Sequence, residues 1–179
     1  MKSNKKSLWA LILVTLVPLC LAFVMYFQQL WLPTSTTNEG MLLLPPEQML
    51  DAKLSYQDAA QQAGADKQWR LLVHTGAACD QLCVDKLHML RQLHIALGKE
   101  AYRVSRLLLV DEATGVEKVA DTYPQLVIVT LLDASMLTQG EGIYLVDPLD
   151  NIMMYYTFDQ VGKPILKDVK KLLKNSNIG

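Results

Sequence analysis

The chain has 179 residues, a length that favours a single folded unit. Apolar residues make up 51% of it, and 17 basic side chains against 18 acidic ones give a formal net charge of −1. This balance gives no support to a nucleic-acid-binding protein, which should carry a basic patch. Three cysteines are too few for a disulfide-dense scaffold.

The start of the chain has the pattern of a membrane anchor. Lys2, Lys5 and Lys6 precede residues 8–27, a run of twenty residues without a charged side chain. At about 1.5 Å per residue, a helix of this length spans the ~30 Å hydrocarbon core of a bilayer. The run is longer than the apolar region of a cleavable signal peptide, and no small-residue cleavage site follows it. We therefore expect an uncleaved transmembrane helix.

The lysines before this span predict its orientation, because positive residues stay on the cytoplasmic side of a membrane. We expect a cytoplasmic tail at residues 1–7 and a transmembrane anchor at residues 8–32. A spacer rich in Pro, Thr and Ser at residues 33–46 should lead to an exported domain at residues 47–179. The predicted location is the inner (cytoplasmic) membrane, with the domain on the periplasmic, extracytoplasmic side.

The exported part contains several short apolar runs and two amphipathic helical patterns. Residues 47–67 look weakly helical. Buried strands are expected at residues 69–74, 104–110 and 125–131, a helix up to Gly98, a hairpin around residues 147–151 and a last helix from Pro164. Strand, cysteine-bearing turn, helix, strand, hairpin and closing helix is the order of a thioredoxin-like α/β fold. We therefore predict a mixed central sheet with flanking helices.

The chemically distinctive feature is the pair Cys79 and Cys83, which follows the first buried strand and opens a helix. The partial positive charge of a helix N-terminus stabilises a thiolate, which is both a nucleophile in disulfide exchange and a ligand for soft metals. In a regular helix the two Cβ atoms would lie ~5–6 Å apart. A disulfide needs ~3.5–4.5 Å, so the first turn would have to loosen for oxidation. Two thiolates would hold Cu(I) with less distortion.

Three interpretations of this pair remain open: a static disulfide, a redox couple, or a metal site. His74 ends the strand before the cysteines and is a candidate to assist, although a structural role is the simpler assignment. His88 and His94 are assigned to the helix surface and to packing. Serine-hydrolase, phosphate-loop and zinc-protease motifs are lacking in the sequence, so hydrolase and nucleotide-binding functions have no motif in their favour.

With its anchor, its C-x3-C pair and the segment Ile-Tyr-Leu-Val-Asp-Pro-Leu-Asp-Asn at residues 143–151, the chain resembles the Sco/SenC family. It is similar, too, to small membrane proteins associated with cytochrome oxidase gene clusters. The resemblance implies a membrane-anchored thioredoxin-like protein that serves assembly of the copper centres of cytochrome c oxidase. Cys79 and Cys83 then map onto the copper ligands and redox cysteines, with Cu(I) as the candidate metal and oxidase subunits or assembly factors as partners.

One position departs from the family pattern. The family places a third copper ligand, a histidine, about nine residues before the hairpin proline, and here that position is Gln139. Three functions therefore stay open. The first is a Sco-like assembly factor that acts by thiol exchange or Cu(I) handling. The second is a general periplasmic thiol–disulfide oxidoreductase, and the third is a non-catalytic anchored scaffold with a structural Cys79–Cys83 disulfide.

Overall fold

A computed structural model describes residues 5–28, 37–49, 54–56, 67–76, 79–111, 116–131 and 137–178. The chain divides into two compact units, Met1–Thr37 and Asn38–Gly179. The described part of the first unit is a single helix, α1 (Lys5–Phe27), which contains Pro18 and buries no residue. Within the described residues it is the one helix long and apolar enough to cross a membrane, which agrees with the predicted anchor.

The second unit alternates strands and helices. In chain order its elements are β1 (Met41–Gln48), β2 (Leu54–Tyr56), β3 (Trp69–His74), α2 (Gln81–Ala96), β4 (Val104–Val110), α3 (Glu117–Thr122), β5 (Leu126–Leu131), β6 (Gly142–Val146), β7 (Asn151–Tyr156) and α4 (Lys163–Asn175). Short 3-10 helices occupy Gly98–Arg103 and Phe158–Gln160. The predicted strands, hairpin and two longer helices are confirmed to within a few residues.

The strands form one mixed sheet in the order β1-β7-β6-β3-β4-β5-β2. β3, β4 and β5 run parallel, whereas β6, β7, β1 and β2 each pair antiparallel with their neighbours. β3 is central, and all six of its residues are buried. A strand covered on both faces is mainly apolar, and in β3 only Arg70 and His74 interrupt that pattern.

Alternate residues of the central strands enter two separate cores. Leu71, Val73 and Leu108 pack on one face of the sheet with Leu87 of α2 and Ile165 of α4. Residues of the opposite parity pack on the other face in a second cluster, which includes Leu72, Leu107, Leu109, Tyr144 and Val146. This period of two is the geometry of a pleated strand. The fold is thus a mixed sheet with flanking helices, as expected.

Two predictions about the segment before β3 are wrong. The spacer expected at residues 33–46 ends earlier, because residues 41–46 belong to β1, which pairs with β7. The weak helix expected at residues 47–67 is contradicted by the end of β1 and by β2, which pairs with β5; its remaining residues lie largely outside the described part. Both strands lie at the edges of the sheet, where proline and short length are tolerated.

Candidate functional site

The Cys79–Cys83 pair lies at the carboxyl end of β3, the central strand. His74 ends β3, and α2 begins at Gln81. Because β3, β4 and β5 are parallel, Asp111, the residue directly after β4, lies at the same end of the strands. Side chains at the carboxyl ends of parallel strands converge at the same edge, where α/β proteins commonly place their functional groups.

The structure joins the two cysteines in a disulfide with a Cα–Cα distance of 5.1 Å. Cys83 lies in the first turn of α2 and is only 2% exposed, packed within the core below the helix. Cys79 precedes the helix and is partly buried against the same core. The two residues do not share a regular helix, since the chain is extended at Asp80 and the helix starts after Cys79, which agrees with the expectation that the first turn must loosen for a disulfide to form.

Asp80 explains how α2 starts between the two cysteines. Its backbone is extended, and its carboxylate accepts a hydrogen bond of 3.0 Å from the amide N–H of Cys83. This is an N-cap, in which a side-chain oxygen satisfies a donor that the first helical turn leaves unpaired. The sequence signal for this role is an aspartate just before a helical pattern. The cap also holds a negative charge beside the disulfide.

His74, which lies close to the cysteine pair in sequence, has a polar neighbour at each of its ring nitrogens. Its side chain is buried, its Nδ1 lies 3.0 Å from the carbonyl oxygen of Gly140, and its Nε2 lies 3.3 Å from a carboxylate oxygen of Asp111. Both neighbours are acceptors, and a singly protonated ring can donate to only one of them. This histidine joins the ends of β3 and β4 to the loop before β6, which favours a positioning role.

Gly76, in the turn that leads towards Cys79, is constrained by the same loop. Its φ of +68° is favourable for glycine, and a Cβ there would lie 2.7 Å from Oε1 of Glu141. The Glu141 carbonyl in turn accepts a 2.7 Å hydrogen bond from the Tyr155 hydroxyl. The loop before β6 is therefore packed against the turn that carries the cysteines. A side chain at Gly76 would be strained by the positive φ and would require the Glu141 carboxylate to move aside.

Gln139 belongs to this loop. Its exposed amide lies 3.5 Å from the Thr138 hydroxyl, and the next residue, Gly140, contacts His74. In the part of the chain that the structure describes, histidine, cysteine and carboxylate side chains form no group of three able to hold a metal ion. Two soft thiolates fit Cu(I) once the disulfide is reduced.

His94 and Met154 both lie in structural surroundings. Nε2 of His94 lies 2.9 Å and 2.8 Å from the carbonyl oxygens of Ala101 and Val104, so this ring links α2 to the following turn. Met154 is buried, and its sulfur lies 3.2 Å from the hydroxyl oxygen of Tyr156. The contacts of His94 agree with its assignment to packing.

One protein family and several solved structures match this chain. The family described as transmembrane-like, thioredoxin-like, C-terminal domain matches residues 69–176, from β3 through α4. The chain belongs to this family. Its matched region contains the whole disulfide turn and both sheet neighbours of β3. No curated protein matches the sequence significantly.

Solved structures place the chain near the Sco proteins in fold. The apo Sco1 protein from Thermus thermophilus is 16% identical, with a TM-score of 0.53 over 79% of this chain and 98% of that one. BsSco, described as a member of the Sco family of cytochrome c oxidase assembly proteins with a disulfide switch, is 14% identical; its TM-score is 0.51 over 74% of this chain and 96% of that one. A thiol:disulfide interchange protein from Bacteroides sp. is 14% identical, with a TM-score of 0.48 over 77% of this chain and 91% of that one.

These comparisons establish a Sco-like thioredoxin fold with an N-terminal apolar helix. The family description and the helix together support single-pass membrane anchoring. At these identities the structural likeness concerns the fold alone.

Proposed function

We propose that this chain is a membrane-anchored, Sco-like accessory factor for cytochrome c oxidase assembly that acts by thiol–disulfide exchange through Cys79 and Cys83. The observation that carries the proposal is the unequal burial of the pair at a helix N-terminus. Cys83 is 2% exposed, whereas Cys79 lies outside the helix and is only partly buried. A static cross-link needs no such asymmetry, but an exchange reaction needs one sulfur that a partner can reach.

The exchange step has a defined direction of attack. A thiolate of a reduced partner attacks Sγ of Cys79, the Cys79–Cys83 bond breaks, and Cys83 leaves as a thiolate at the N-terminus of α2, where the helix dipole stabilises it. A second thiol of the partner then attacks the mixed disulfide. The partner dithiol becomes a disulfide, and the protein takes up two electrons and two protons as a pair of thiols.

The oxidase role rests on the fold and on what the Sco neighbours are described to do. The Sco family is described as cytochrome c oxidase assembly proteins, and a disulfide switch is described for BsSco. A general thiol oxidoreductase is the less favoured function, because the usual spacing of such a pair is C-x-x-C, whereas three residues separate Cys79 from Cys83.

Cu(I) handling is the second candidate function, and it depends on the reduced state of the same pair. Copper proteins are among the structural neighbours, in the form of Sco proteins with copper bound. Reduction of the disulfide in this chain would leave two soft thiolates, the donors that Cu(I) prefers. Copper is then cargo passed between partners, and the pair would hold it without help from a third described ligand.

The membrane placement is part of the proposal. Residues 8–32 anchor the chain, and the lysines that precede them keep residues 1–7 in the cytoplasm. The remainder lies on the periplasmic side of the inner membrane, where an oxidising environment allows the disulfide to form. A topology reporter fused after Gly179 should be active outside the cytoplasm; activity only inside would contradict this orientation and the redox argument with it.

The function is tested in the host that carries the gene. Deletion should lower cytochrome c oxidase activity of isolated membranes, and the wild-type chain should restore it. Cys79→Ser and Cys83→Ser should not, whereas Cys20→Ser, the matched change in α1, should restore it fully. If the two variants of the pair restore oxidase activity as well as the wild type, the disulfide is a structural cross-link and the scaffold interpretation holds.

The chemical step has its own measurement in the purified full-length chain. In a Cys20→Ser background, Cys79 of the Cys83→Ser variant should react with a disulfide reagent at least about tenfold faster than Cys83 of the Cys79→Ser variant, because a buried sulfur is sheltered from attack. Equal rates would contradict the assignment of Cys79 as the sulfur that is attacked.

A further inference from the structure

The closing helix α4 (Lys163–Asn175) presents a stripe of lysines on its outer face. Its cationic side chains are all exposed: Lys163, Lys167, Lys170, Lys171 and Lys174. At 3.6 residues per turn, four of them fall within about 60° of arc and Lys171 lies about 40° further round. The buried residues Ile165, Val169 and Leu173 occupy the opposite side of the helix. We call these five lysines the lysine stripe.

The stripe is a local reversal of the charge of the domain. α4 has five lysines and one aspartate, hence +4, and that aspartate, Asp168, is buried with its carboxylate turned to the interior. Residues 33–179 have 14 basic and 18 acidic side chains, hence −4. Without α4 the same stretch has 9 basic and 17 acidic side chains, hence −8. Lys99 lines one cavity together with Lys170 and Lys174, and the Glu100 carboxylate that also lines this cavity is paired with Arg103.

The segment that follows the anchor is attached to this same helix. The carboxylate of Glu39 accepts a hydrogen bond of 2.5 Å from Nζ of Lys167, and Oδ2 of Asp168 accepts hydrogen bonds of 2.9 Å and 3.0 Å from the amides of Glu39 and Gly40. Glu39 comes twelve residues after Phe27, the last residue of α1. A chain of that length reaches at most about 40 Å. The first residues of the second unit are therefore fastened to the helix that carries the stripe.

We propose that the lysine stripe of α4 is a docking surface for anionic phospholipid headgroups of the membrane that holds the chain. A charged bilayer surface attracts clustered lysines over about one Debye length, ~8–10 Å at physiological salt. The tether makes this attraction intramolecular, so weak contacts suffice to hold the surface down. α4 does not insert, because its apolar side is already occupied by the core of the domain.

The composition of the stripe favours lipid over a protein partner. Lysine is depleted at the centres of protein–protein interfaces, where aromatic residues, methionine and arginine are enriched. The exposed face of α4 contains lysines and no aromatic residue. A diffuse anionic surface needs positive charge without a fixed bonding geometry, and the flexible ammonium group of lysine supplies that.

The test uses the full-length chain in nanodiscs of phosphatidylcholine alone and of phosphatidylcholine mixed with phosphatidylglycerol. Each lysine is modified with a small uncharged reagent by reductive methylation, and its rate is read by peptide mass spectrometry. The stripe lysines should react at least about threefold more slowly in the anionic discs, because headgroup contacts shield them. Lys118, an exposed lysine of α3, should react equally in both. The difference should vanish at about 1 M salt, where the Debye length falls to ~3 Å.

Two matched variants test whether the charge of the stripe causes the slower modification in the anionic discs. K163E/K170E reverses two charges of the stripe, and R91E/K118E reverses two exposed charges elsewhere on the domain. The remaining stripe lysines should lose their dependence on phosphatidylglycerol in the first variant and keep it in the second. Equal rates in both discs for the wild type, as a purely protein-binding surface would give, overturn the proposal. So does an effect that both variants retain equally.

Discussion

The hydroxyl of Tyr156 donates a hydrogen bond of 3.1 Å to Oδ2 of Asp168 inside the domain. Tyr156 is fully buried and Asp168 is 1% exposed. The same oxygen accepts hydrogen bonds from the backbone amides of Glu39 and Gly40. One carboxylate thus joins the last sheet strand of the hairpin, the closing helix and the segment that follows the anchor. Because three donors depend on it, this residue should matter for stability more than any exposed charge.

Asp168→Ala should lower the free energy of unfolding by about 3 kcal/mol, since buried donors left without an acceptor cost ~1–3 kcal/mol each. Asp168→Asn retains one side-chain oxygen and should cost about half as much. The measurement is urea denaturation of the full-length protein, followed by near-ultraviolet circular dichroism. Asp121→Ala, at an exposed position of α3, is the control and should stay within about 0.5 kcal/mol of the wild type. A change at Asp168 no larger than this would contradict the role.

The same contact predicts a loss of stability at alkaline pH. Burial, reinforced by the nearby Asp168 carboxylate, raises the pKa of Tyr156 well above its usual value. The contribution of Tyr156 to the free energy of unfolding is fully present below the pKa of ~10 that tyrosine has in the unfolded state. It is lost as the pH rises, because the unfolded state then releases a proton that the folded state keeps. The loss is at most about 1.4 kcal/mol per pH unit.

Tyr156→Phe should therefore be less stable than the wild type at pH 7 by about 1 kcal/mol, yet show a shallower decline above pH 10. Unfolding curves between about pH 9 and pH 11 measure both effects. Tyr102→Phe changes a tyrosine that is 73% exposed and should leave the slope as it is in the wild type. Parallel slopes for all three proteins would show that Tyr156 does not govern the alkaline decline.

The sequence predicts the centre of the fold better than its edges. β3, β4 and β5 are mainly apolar, with few polar residues inside each strand, and the hairpin is marked by its turn, so local patterns are sufficient. β1 contains Pro45 and Pro46, and β2 has three residues, so neither has a strand pattern of its own. Their structure comes from pairing with β7 and β5, which no local rule anticipates.

Sequence patterns likewise predict only part of the candidate site. The C-x3-C spacing is enough to single out Cys79 and Cys83, but not to place them in different environments, which depends on the N-cap at Asp80. Asp168 is invisible to pattern analysis, because one aspartate in a lysine-rich helix has the signature of a surface residue. Its partner amides lie 129 and 128 residues away in sequence. Contacts of that range are set by the tertiary fold.

Asp80→Asn should make the Cys79–Cys83 disulfide about three- to tenfold faster to reduce with dithiothreitol, since both the attacking and the leaving sulfur are anionic and a nearby negative charge opposes them. Asparagine is as good an N-cap as aspartate, so α2 should still start at Gln81. Asp85→Asn is the matched control, because that exposed carboxylate lies one turn further along and accepts a hydrogen bond from Gln81. Timed thiol labelling gives the rates. If the two variants are reduced equally fast, Asp80 does not tune the pair electrostatically.

Gln139→His should tighten Cu(I) binding by the reduced protein, by about tenfold, because a neutral imidazole is a better copper ligand than an amide oxygen. The loop that carries Gln139 already contacts His74 through Gly140, and it packs through Glu141 on the turn before Cys79. The parent chain should bind Cu(I) through two thiolates alone, and Cys79→Ser should lose that binding.

The measurement is a Cu(I) titration of the reduced full-length chain against a competing chelator. Gln125→His is the control, since Gln125 precedes β5 and so lies at the opposite edge of the parallel strands. It should bind no more tightly than the parent. An unchanged affinity in Gln139→His would mean that position 139 does not approach the cysteines. Binding that persists in Cys79→Ser would show that the copper is held elsewhere, and the pair would then retain only its redox role.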